Sequence, residues 1–209
     1  MSSQKTKSDK KKLMDFSRIE KFHPYKTFLF FALLGSTLVF MAVTFLYLLS
    51  LSRTIPLENF KLPKQFFLST LLLIFSSYTI SKTIKAFTND SFKLLLFYLG
   101  ITLLLGFAFT FSQISGWKKL LESGFMFNTH TRVSYLYVIS GIHFLHVITG
   151  LIFIVTITIS AWMKSRDMVK SLLYFSDEFQ RTKIELAVIF WHFVDFLWLG
   201  LFLIFLFTF

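Results

Sequence analysis

Long apolar segments separated by short polar ones make up most of this chain. Five of the apolar segments approach or exceed the roughly 20 residues that a helix needs to cross the hydrocarbon core of a bilayer. They occupy residues 27–51, 66–81, 92–114, 134–163 and 184–209. The second is short, and its helix can continue through Lys82. This pattern predicts an all-α, polytopic membrane helix bundle with five transmembrane helices.

The composition excludes several other classes of protein. Apolar residues make up 55% of the chain and aromatic residues 20%, with 30 Phe and a mean hydropathy of +0.65, which is too apolar for an ordinary soluble domain. A membrane β-barrel alternates apolar and polar residues in segments of about 10 residues, and these long apolar segments do not. The chain has no Cys, so disulfides, thiolate metal sites and thiol catalysis are excluded.

The net charge of +11 indicates membrane topology rather than nucleic-acid binding. Lys and Arg lie in the short segments between the apolar ones and do not alternate with aromatic residues on a soluble face. The tail before the first span, the second loop and the fourth loop hold sixteen of them, and the first and third loops hold six. Because Lys and Arg accumulate on the cytoplasmic side, this bias predicts a cytoplasmic N-terminus and a C-terminus outside.

Two regions follow from these patterns: a basic cytoplasmic N-terminal tail, residues 1–26, and a five-helix transmembrane domain, residues 27–209. The tail contains no apolar stretch typical of a signal peptide, so we expect the first span to be retained. It also lacks the Arg- and Ser-rich amphipathic pattern of a mitochondrial presequence. We therefore expect the protein in a bacterial inner membrane, with the mitochondrial inner membrane as the alternative.

Polar residues inside the fourth span are the first candidates for a functional site. His143 and His146 are three residues apart, so they share one helix face, and Gly150 lies four residues after His146 on the same side. Gly141 and Gly150 allow another backbone to approach closely, as small residues do between membrane helices. This face is expected to pack against protein.

The fifth span carries a second polar stripe. His192 follows Glu185 by seven residues, two helical turns on the same face, and Asp195 follows three residues later, about 15 Å above Glu185. Trp191 and Trp198, also seven residues apart, form a neighbouring aromatic stripe. A carboxylate and an imidazole near mid-membrane cost several kcal/mol unless they face protein or water, so they indicate a functional or interhelical site.

Three interpretations of the two stripes are open. A haem between His192 and one histidine of the fourth span is possible, but a dinuclear metal site needs about four carboxylates and two His, more than these spans offer. Hydrogen bonding between helices or lipid contact, without chemistry, is favoured because buried polar groups need partners whatever their function. We therefore predict no catalytic, cofactor-binding or metal-binding residue, and an interhelical or lipid-contact polar seam formed by His143, His146, Glu185, Trp191, His192 and Asp195.

Other polar residues leave a second question open. The second span contains six hydroxyl side chains, which can bond to carbonyls of their own helix or contact another subunit. They are Ser69, Thr70, Ser76, Ser77, Thr79 and Ser81. Gln113 and Trp117 follow the third apolar segment, near the expected outer interface.

Two stretches of sequence resemble the cytochrome c oxidase subunit III family of the haem-copper respiratory oxidases. The stretch from Glu185 to Trp198, an acidic residue followed by aromatic-Trp-His-Phe-Val-Asp and a further Trp, is similar to the family's C-terminal signature. Residues 141–150 are similar to its Gly-x-His-x-x-His-Val-x-x-Gly motif. Weaker similarities are Leu62-Pro63 before the hydroxyl-rich second span and Gln113 with Trp117. The pieces cover most of residues 62–209.

The resemblance implies the short, five-span bacterial form of this subunit and the same direction of insertion as the charge bias. It implies a subunit without a catalytic centre or redox cofactor of its own, with haem and copper in partner subunits. The expected partners are the catalytic subunit I, subunit II, phospholipid and the membrane, and no nucleic acid. The family is associated with stability, lipid binding and proton uptake. One departure is Thr37 in the first span, where many members carry a carboxylate.

The expected function is therefore that of a non-catalytic subunit III of a proton-pumping cytochrome c oxidase, in aerobic respiratory electron transport. A quinol oxidase or a nitric oxide reductase system is the alternative within the family, because the electron donor binds other subunits. From a different class, a membrane haem protein or a proton-coupled transporter also fits a polar seam. Transporters of this size more often show broken helices and internal repeats, which this sequence lacks.

Overall fold

Six helices and no strand form the part of the chain that the computed structural model describes, residues 24–52, 62–127 and 130–209. They are α1 (Pro24–Leu51), α2 (Lys64–Thr88), α3 (Phe92–Glu122), α4 (Thr131–Lys164), α5 (Met168–Ser176) and α6 (Glu178–Thr208). All except α5 are long and apolar enough to cross a membrane. The predicted all-α bundle with five spans is thereby confirmed, whereas the direction of insertion stays a prediction. Most of the predicted tail lies outside the described residues.

The helices extend beyond the apolar segments from which they were predicted. The second span, predicted over 66–81 with a continuation through Lys82, runs from Lys64 to Thr88, and the third continues to Glu122. Backbone hydrogen bonds persist into the polar flanks until a turn intervenes: Asn89 N–H donates to the carbonyl of Lys85 at 3.1 Å, and Asp90 adopts a left-handed φ of 51°. The Ser91 side chain then caps α3 by accepting from Leu94 N–H.

The helix α5 was not predicted from the sequence. Its nine residues lie between the fourth and fifth spans, a region that the hydropathy pattern assigned to a loop. The Asp167 side chain caps the first turn by accepting from the backbone N–H groups of Val169 at 3.0 Å and Lys170 at 3.3 Å. A short helix therefore begins at the Asp167 cap, a local signal that the hydropathy pattern does not register.

The chain forms two compact units, Met1–Leu38 and Val39–Phe209, and the boundary falls within α1. In the first unit, Thr37 donates its hydroxyl to the carbonyl of Leu33 at 2.8 Å, on its own helix. The Thr37 hydroxyl is thus satisfied by its own helix.

In the second unit, α2 and α3 run antiparallel, and α6 packs against α2, α4 and the short α5. Three pairs of positions along the α2–α3 hairpin show its register: Ser112 donates to the carbonyl of Gln65, Gln113 to Ser69, and the hydroxyls of Thr79 and Thr102 meet at 2.8 Å. Residues at the start of α2 meet residues late in α3, whereas Thr79, later in α2, meets Thr102, nearer the start of α3, as an antiparallel pair requires. This packing places the middle of α6 against the middle of α2.

Two glycines let the large ring of Trp191 enter the core between α3, α4 and α6. A Cβ atom at Gly106 or at Gly150 would lie 3.0 Å from ring atoms of Trp191, so a larger residue at either position would crowd the indole ring. Small residues permit this kind of close packing between membrane helices. At Gly150, where the close approach of another backbone was predicted, the nearest atoms belong to the side chains of Trp191 and Phe190. At Gly141, which was expected to behave in the same way, a Cβ would meet nothing within 4 Å, because this residue lies on a different face of α4.

Candidate functional site

The two tryptophans of α6 donate hydrogen bonds to hydroxyl groups of α2. Trp191 donates its indole N–H to Ser76 Oγ at 3.0 Å, and Trp198 donates to Thr70 Oγ1 at 3.0 Å. Both indole rings are buried, with 0% and 1% of their surface exposed. Each hydroxyl in turn donates to a carbonyl of α2, that of Leu73 or that of Phe66. These α2 hydroxyls therefore join two helices of this chain.

His192 lies against the next turn of hydroxyls on α2. Ser77 Oγ is 2.7 Å from its Nδ1 atom, and Ser81 Oγ is 3.0 Å from its Nε2 atom. Ser81 has one proton, which it donates to the carbonyl of Ser77 at 2.9 Å. The arrangement is therefore consistent when Nε2–H donates to Ser81 and Nδ1 accepts from Ser77, which is the Nε2–H tautomer of the neutral imidazole. Ser77 and Ser81, one helical turn apart on α2, therefore each form a hydrogen bond with one ring nitrogen of His192.

Asp195 lies one turn after His192 and has different surroundings. Both of its carboxyl oxygens are buried, and neither makes a hydrogen bond of normal geometry with the residues that the structure describes, although the Ser77 hydroxyl lies close by. The Ser77 hydroxyl, which borders the same cleft, has its proton directed at His192 in the tautomer above. A buried carboxyl group without donors costs free energy in any protein, so Asp195 is the least satisfied polar side chain of α6.

A cleft of about 520 Å³ separates α2 and α6 beside these residues. Its polar lining comes from Thr70, Ser77, Ser81, His192 and Asp195. Apolar and aromatic side chains complete it: Leu73, Ile74, Tyr78, Phe196, Trp198 and Leu199. Tyr78 is 63% exposed and Phe196 is 76% exposed, so the cleft opens sideways onto the outer surface of the bundle. It lies near the middle of both helices.

His143 and His146 face different neighbours. His143 has no exposed surface, and its ring packs between Phe109, 5.9 Å away, and Trp198, 5.0 Å away, measured between ring centroids. Neither of its nitrogens has a hydrogen-bond partner in the described part of the chain. His146 lies 2.8 Å from the carbonyl of Ile142 through Nδ1, and its ring contacts Phe40 of α1. Residues three apart on a helix point about 60° apart, enough to separate these environments.

Glu185 does not join either histidine environment. Its carboxylate accepts from Arg181 Nε at 3.0 Å, on the same helix and one turn nearer to the helix start. The six residues of the predicted polar seam are therefore distributed over several places. Trp191, His192 and Asp195 face α2 or its cleft, His143 lies in the aromatic core, His146 faces α1, and Glu185 pairs along α6.

Gln113 and Trp117 have helix-bridging roles that the sequence did not indicate. Gln113 donates from Nε2 to Ser69 Oγ at 3.0 Å, and Trp117 donates from Nε1 to Ser140 Oγ at 3.1 Å. Gln113 is buried and Trp117 is half-buried. The only signal in the sequence was the presence of Ser and Thr in otherwise apolar spans.

A metal ion or a haem would place specific demands on the described residues. Among the described residues, no three His, Asp or Glu side chains come close enough together to hold a metal ion. A haem shared between the fourth and fifth spans would have to displace the serine that occupies the iron-binding nitrogen of His192, Ser77 on Nδ1 or Ser81 on Nε2. What the arrangement does chemically is to satisfy hydrogen bonds between helices in a medium without water.

The family model for cytochrome c oxidase subunit III matches residues 27–208, which includes all five spans. This chain belongs to that family. The resemblance carried by residues 141–150 and by the stretch from Glu185 to Trp198 is therefore confirmed, and the chain is a subunit III of the haem-copper oxidase family.

Relatives with either electron donor in their names are similar to this subunit III chain. Cytochrome c oxidase subunit 3 of Bacillus sp. (strain PS3) is 30% identical over 145 residues, 69% of this chain and 65% of the relative. Cytochrome bo(3) ubiquinol oxidase subunit 3 of Buchnera aphidicola is 28% identical over 137 residues, 65% of this chain and 67% of the relative. The probable quinol oxidase subunit 3 of Staphylococcus aureus is 27% identical over 145 residues. The chain thus spans less than two thirds of the length of the Bacillus relative.

Proposed function

We propose that this chain is the non-catalytic third subunit of a proton-pumping terminal oxidase that reduces oxygen to water, with haem and copper held by its partner subunits I and II. The observation that carries the proposal is the family match over residues 27–208. Relatives from bacteria support a place in the bacterial inner membrane.

The contacts of the buried polar residues support a role in holding structure. Trp191, Trp198 and His192 are each engaged by hydroxyl groups of α2 in the same chain. Side chains occupied in this way stabilise the subunit's own helices and are poorly placed to react. The role that fits is to stabilise the catalytic subunit, to bind phospholipid along exposed apolar helix faces and to support proton uptake.

Cytochrome c is the electron donor that we propose for the complex, and quinol is the second candidate because relatives of both kinds match. The donor binds other subunits, so residues of this chain do not distinguish the two. The composition of the complex does: a copper-site sequence in the co-purifying second subunit favours cytochrome c.

Purification of the tagged chain from its native membrane in mild detergent tests the proposal. We expect co-purifying subunits, a reduced-minus-oxidised haem spectrum and oxygen consumption with reduced cytochrome c. Oxygen consumption with quinol alone would select the second candidate. Recovery of a lone, colourless chain would contradict membership in an oxidase.

The non-catalytic role has its own test in the His192→Leu variant. If the imidazole only holds helices together, the yield of assembled complex should fall more than the turnover of each assembled complex. Normal yield with abolished electron transfer would show that the residue takes part in chemistry.

A further inference from the structure

Apolar side chains cover one face of α5 without contacting the rest of the bundle. Met168, Val169, Leu172 and Leu173 are 84%, 67%, 72% and 64% exposed. Their spacing of one, four and five residues places them on one side of the helix. We call these four residues the α5 stripe. A short connecting helix has no need of such a stripe unless something apolar covers it.

The opposite face of α5 is fixed to the bundle. Tyr174 is buried at 2% exposure, and its ring lies 5.2 Å from that of Phe92, while the ring of Phe175 lies 4.4 Å from the same Phe92. Phe87 at the end of α2 contacts both aromatic rings. Burial raises the pKa of Tyr174 to about 12. The orientation of the α5 stripe, away from the bundle, is therefore set by packing.

The α5 stripe lies at one end of the spans. The end of α2 and the start of α3 contact α5 through their Phe rings, α4 ends at Lys164, and α6 begins at Glu178. Along the chain, the stripe is preceded by two further exposed apolar residues, Trp162 and Met163 at the end of α4, at 50% and 59% exposure. This is the level at which the hydrocarbon layer meets the headgroups.

Cationic side chains flank the α5 stripe. Arg166 stacks over the ring of Trp162 with its guanidinium carbon 4.1 Å from the ring centroid, an arrangement that suits an interfacial aromatic residue. Lys170 is exposed on α5 and lies 3.2 Å from the Asp167 carboxylate. Lys164 lies over the ring of Tyr174. An apolar stripe bordered by cations is complementary to acyl chains below anionic headgroups.

We propose that α5 is an interfacial anchor, in which the α5 stripe enters the boundary between acyl chains and headgroups while Arg166 and Lys170 bind the phosphates of anionic phospholipids. Charge complementarity and the exposed Trp162 and Met163 that precede the stripe favour a lipid surface over a protein partner. The inference depends on the chain spanning the membrane and not on the proposed oxidase function.

Site-directed nitroxide labelling tests the position of the α5 stripe. Because the chain has no Cys, each single-Cys variant carries one label in the full chain, reconstituted in vesicles of phosphatidylcholine and phosphatidylglycerol. A label at Leu172→Cys should collide more often with oxygen, which partitions into lipid, than with a water-soluble nickel chelate. Asn89→Cys, exposed in the α2–α3 turn at the same end, is the aqueous control. Leu145→Cys, 65% exposed in the middle of α4, is the lipid control.

Two results would overturn the anchor. Collision with the nickel chelate as frequent at Leu172→Cys as at Asn89→Cys would place the stripe in water. Protection of Leu172→Cys from both reagents in the purified complex, with normal oxygen access for the chain alone, would show that a protein partner covers it. Oxygen access in both preparations supports the anchor.

Lipid selectivity is tested with Arg166→Gln against the unchanged chain. The label at Leu172→Cys is exposed to spin-active analogues of phosphatidylglycerol or phosphatidylcholine, and the preference for the anionic lipid is measured. Removing one cation near the surface should reduce that preference about fivefold, which corresponds to about 1 kcal/mol. An unchanged preference would refute the assignment of Arg166 to a phosphate, and an absence of any preference in the unchanged chain would refute anionic recognition altogether.

Discussion

Replacing Gly150 with alanine is expected to separate α4 from α6, because Gly150 lies directly against the ring of Trp191. A methyl group at Gly150 would be 3.0 Å from Cε3 and Cζ3 of Trp191 and 3.1 Å from Cε1 of Phe190. The indole ring is fully buried, and its N–H donates to Ser76. Any movement of the ring away from the methyl group would therefore strain or break that hydrogen bond.

The expected loss in the free energy of unfolding is measured against Gly141→Ala on the same helix, because a methyl group at Gly141 would meet nothing within 4 Å. Both substitutions gain helix propensity, about 1 kcal/mol for Gly→Ala in water, so the difference between them isolates the steric clash. Overpacking of a filled core costs about 1–3 kcal/mol. We expect Gly150→Ala to have a free energy of unfolding about 1–3 kcal/mol lower than Gly141→Ala.

The assay is unfolding of the purified subunit by SDS in mixed micelles, followed by circular dichroism and tryptophan fluorescence. A second pair on α3 repeats the comparison: a methyl at Gly106 would be 2.7 Å from Cδ2 of Leu151, whereas one at Gly100 meets nothing within 4 Å. Equal stability of Gly150→Ala and Gly141→Ala would refute the close packing of Trp191 against α4.

Three further predictions use the same unfolding assay or the label on α5. His192→Leu should lower the free energy of unfolding by about 1–2 kcal/mol, because it leaves the half-buried Ser77 hydroxyl without its imidazole acceptor. Asp195→Leu should raise it by about 1–3 kcal/mol by removing buried carboxyl oxygens that no hydrogen bond of normal geometry satisfies; destabilisation by both would show that Asp195 has a stabilising partner. Trp191→Phe should cost about 0.5–1.5 kcal/mol, and a double-mutant cycle with Ser76→Ala should recover most of it as coupling. The pKa of Asp167 is lowered by hydrogen bonds from Lys170, first from its side chain and then from its backbone. The α5 cap is therefore present above the ordinary carboxyl pKa and is lost as pH falls through the lowered value. The mobility of the label on α5 should rise in that pH range, and Asp167→Asn should show no such rise.

The number of spans was predictable because a bilayer fixes the length of apolar sequence that crosses it. Helix ends were not, because backbone hydrogen bonding continues through polar flanks until a turn such as Asn89 to Ser91 stops it. The helix α5 escaped prediction because its nine residues are too few for a clear period and lie among charged residues. Its only local sign was Asp167 at the cap position.

The contacts within the site were less predictable than the residues that make them. The sequence singled out His192 and Trp191, yet which of six hydroxyl residues on α2 face them depends on how that helix is rotated about its axis. Ser77 and Ser81, one turn apart, proved to be the partners of His192. Similarly, a spacing of three residues predicted a common face for His143 and His146, and a rotation of about 60° between them was enough to give them different neighbours.

A single hydrogen-bonding arrangement explains several polar residues of the bundle. An N–H group on one helix donates to a hydroxyl on another, and that hydroxyl donates to a carbonyl of its own helix. It occurs for Trp191 with Ser76, Trp198 with Thr70, Gln113 with Ser69 and Trp117 with Ser140.

This arrangement suits the hydrocarbon layer because each of the donated protons in the four pairs has an acceptor and none of the groups is charged. Hydrogen bonds between membrane helices average about 0.6 kcal/mol each, so four of them add stability without dominating it. Their greater effect is on register, since each indole N–H reaches a hydroxyl at only one rotation of the facing helix. The Trp residues of the α6 signature are therefore explained by assembly of the bundle. Asp195, in the cleft beside Ser77, takes no part in the arrangement.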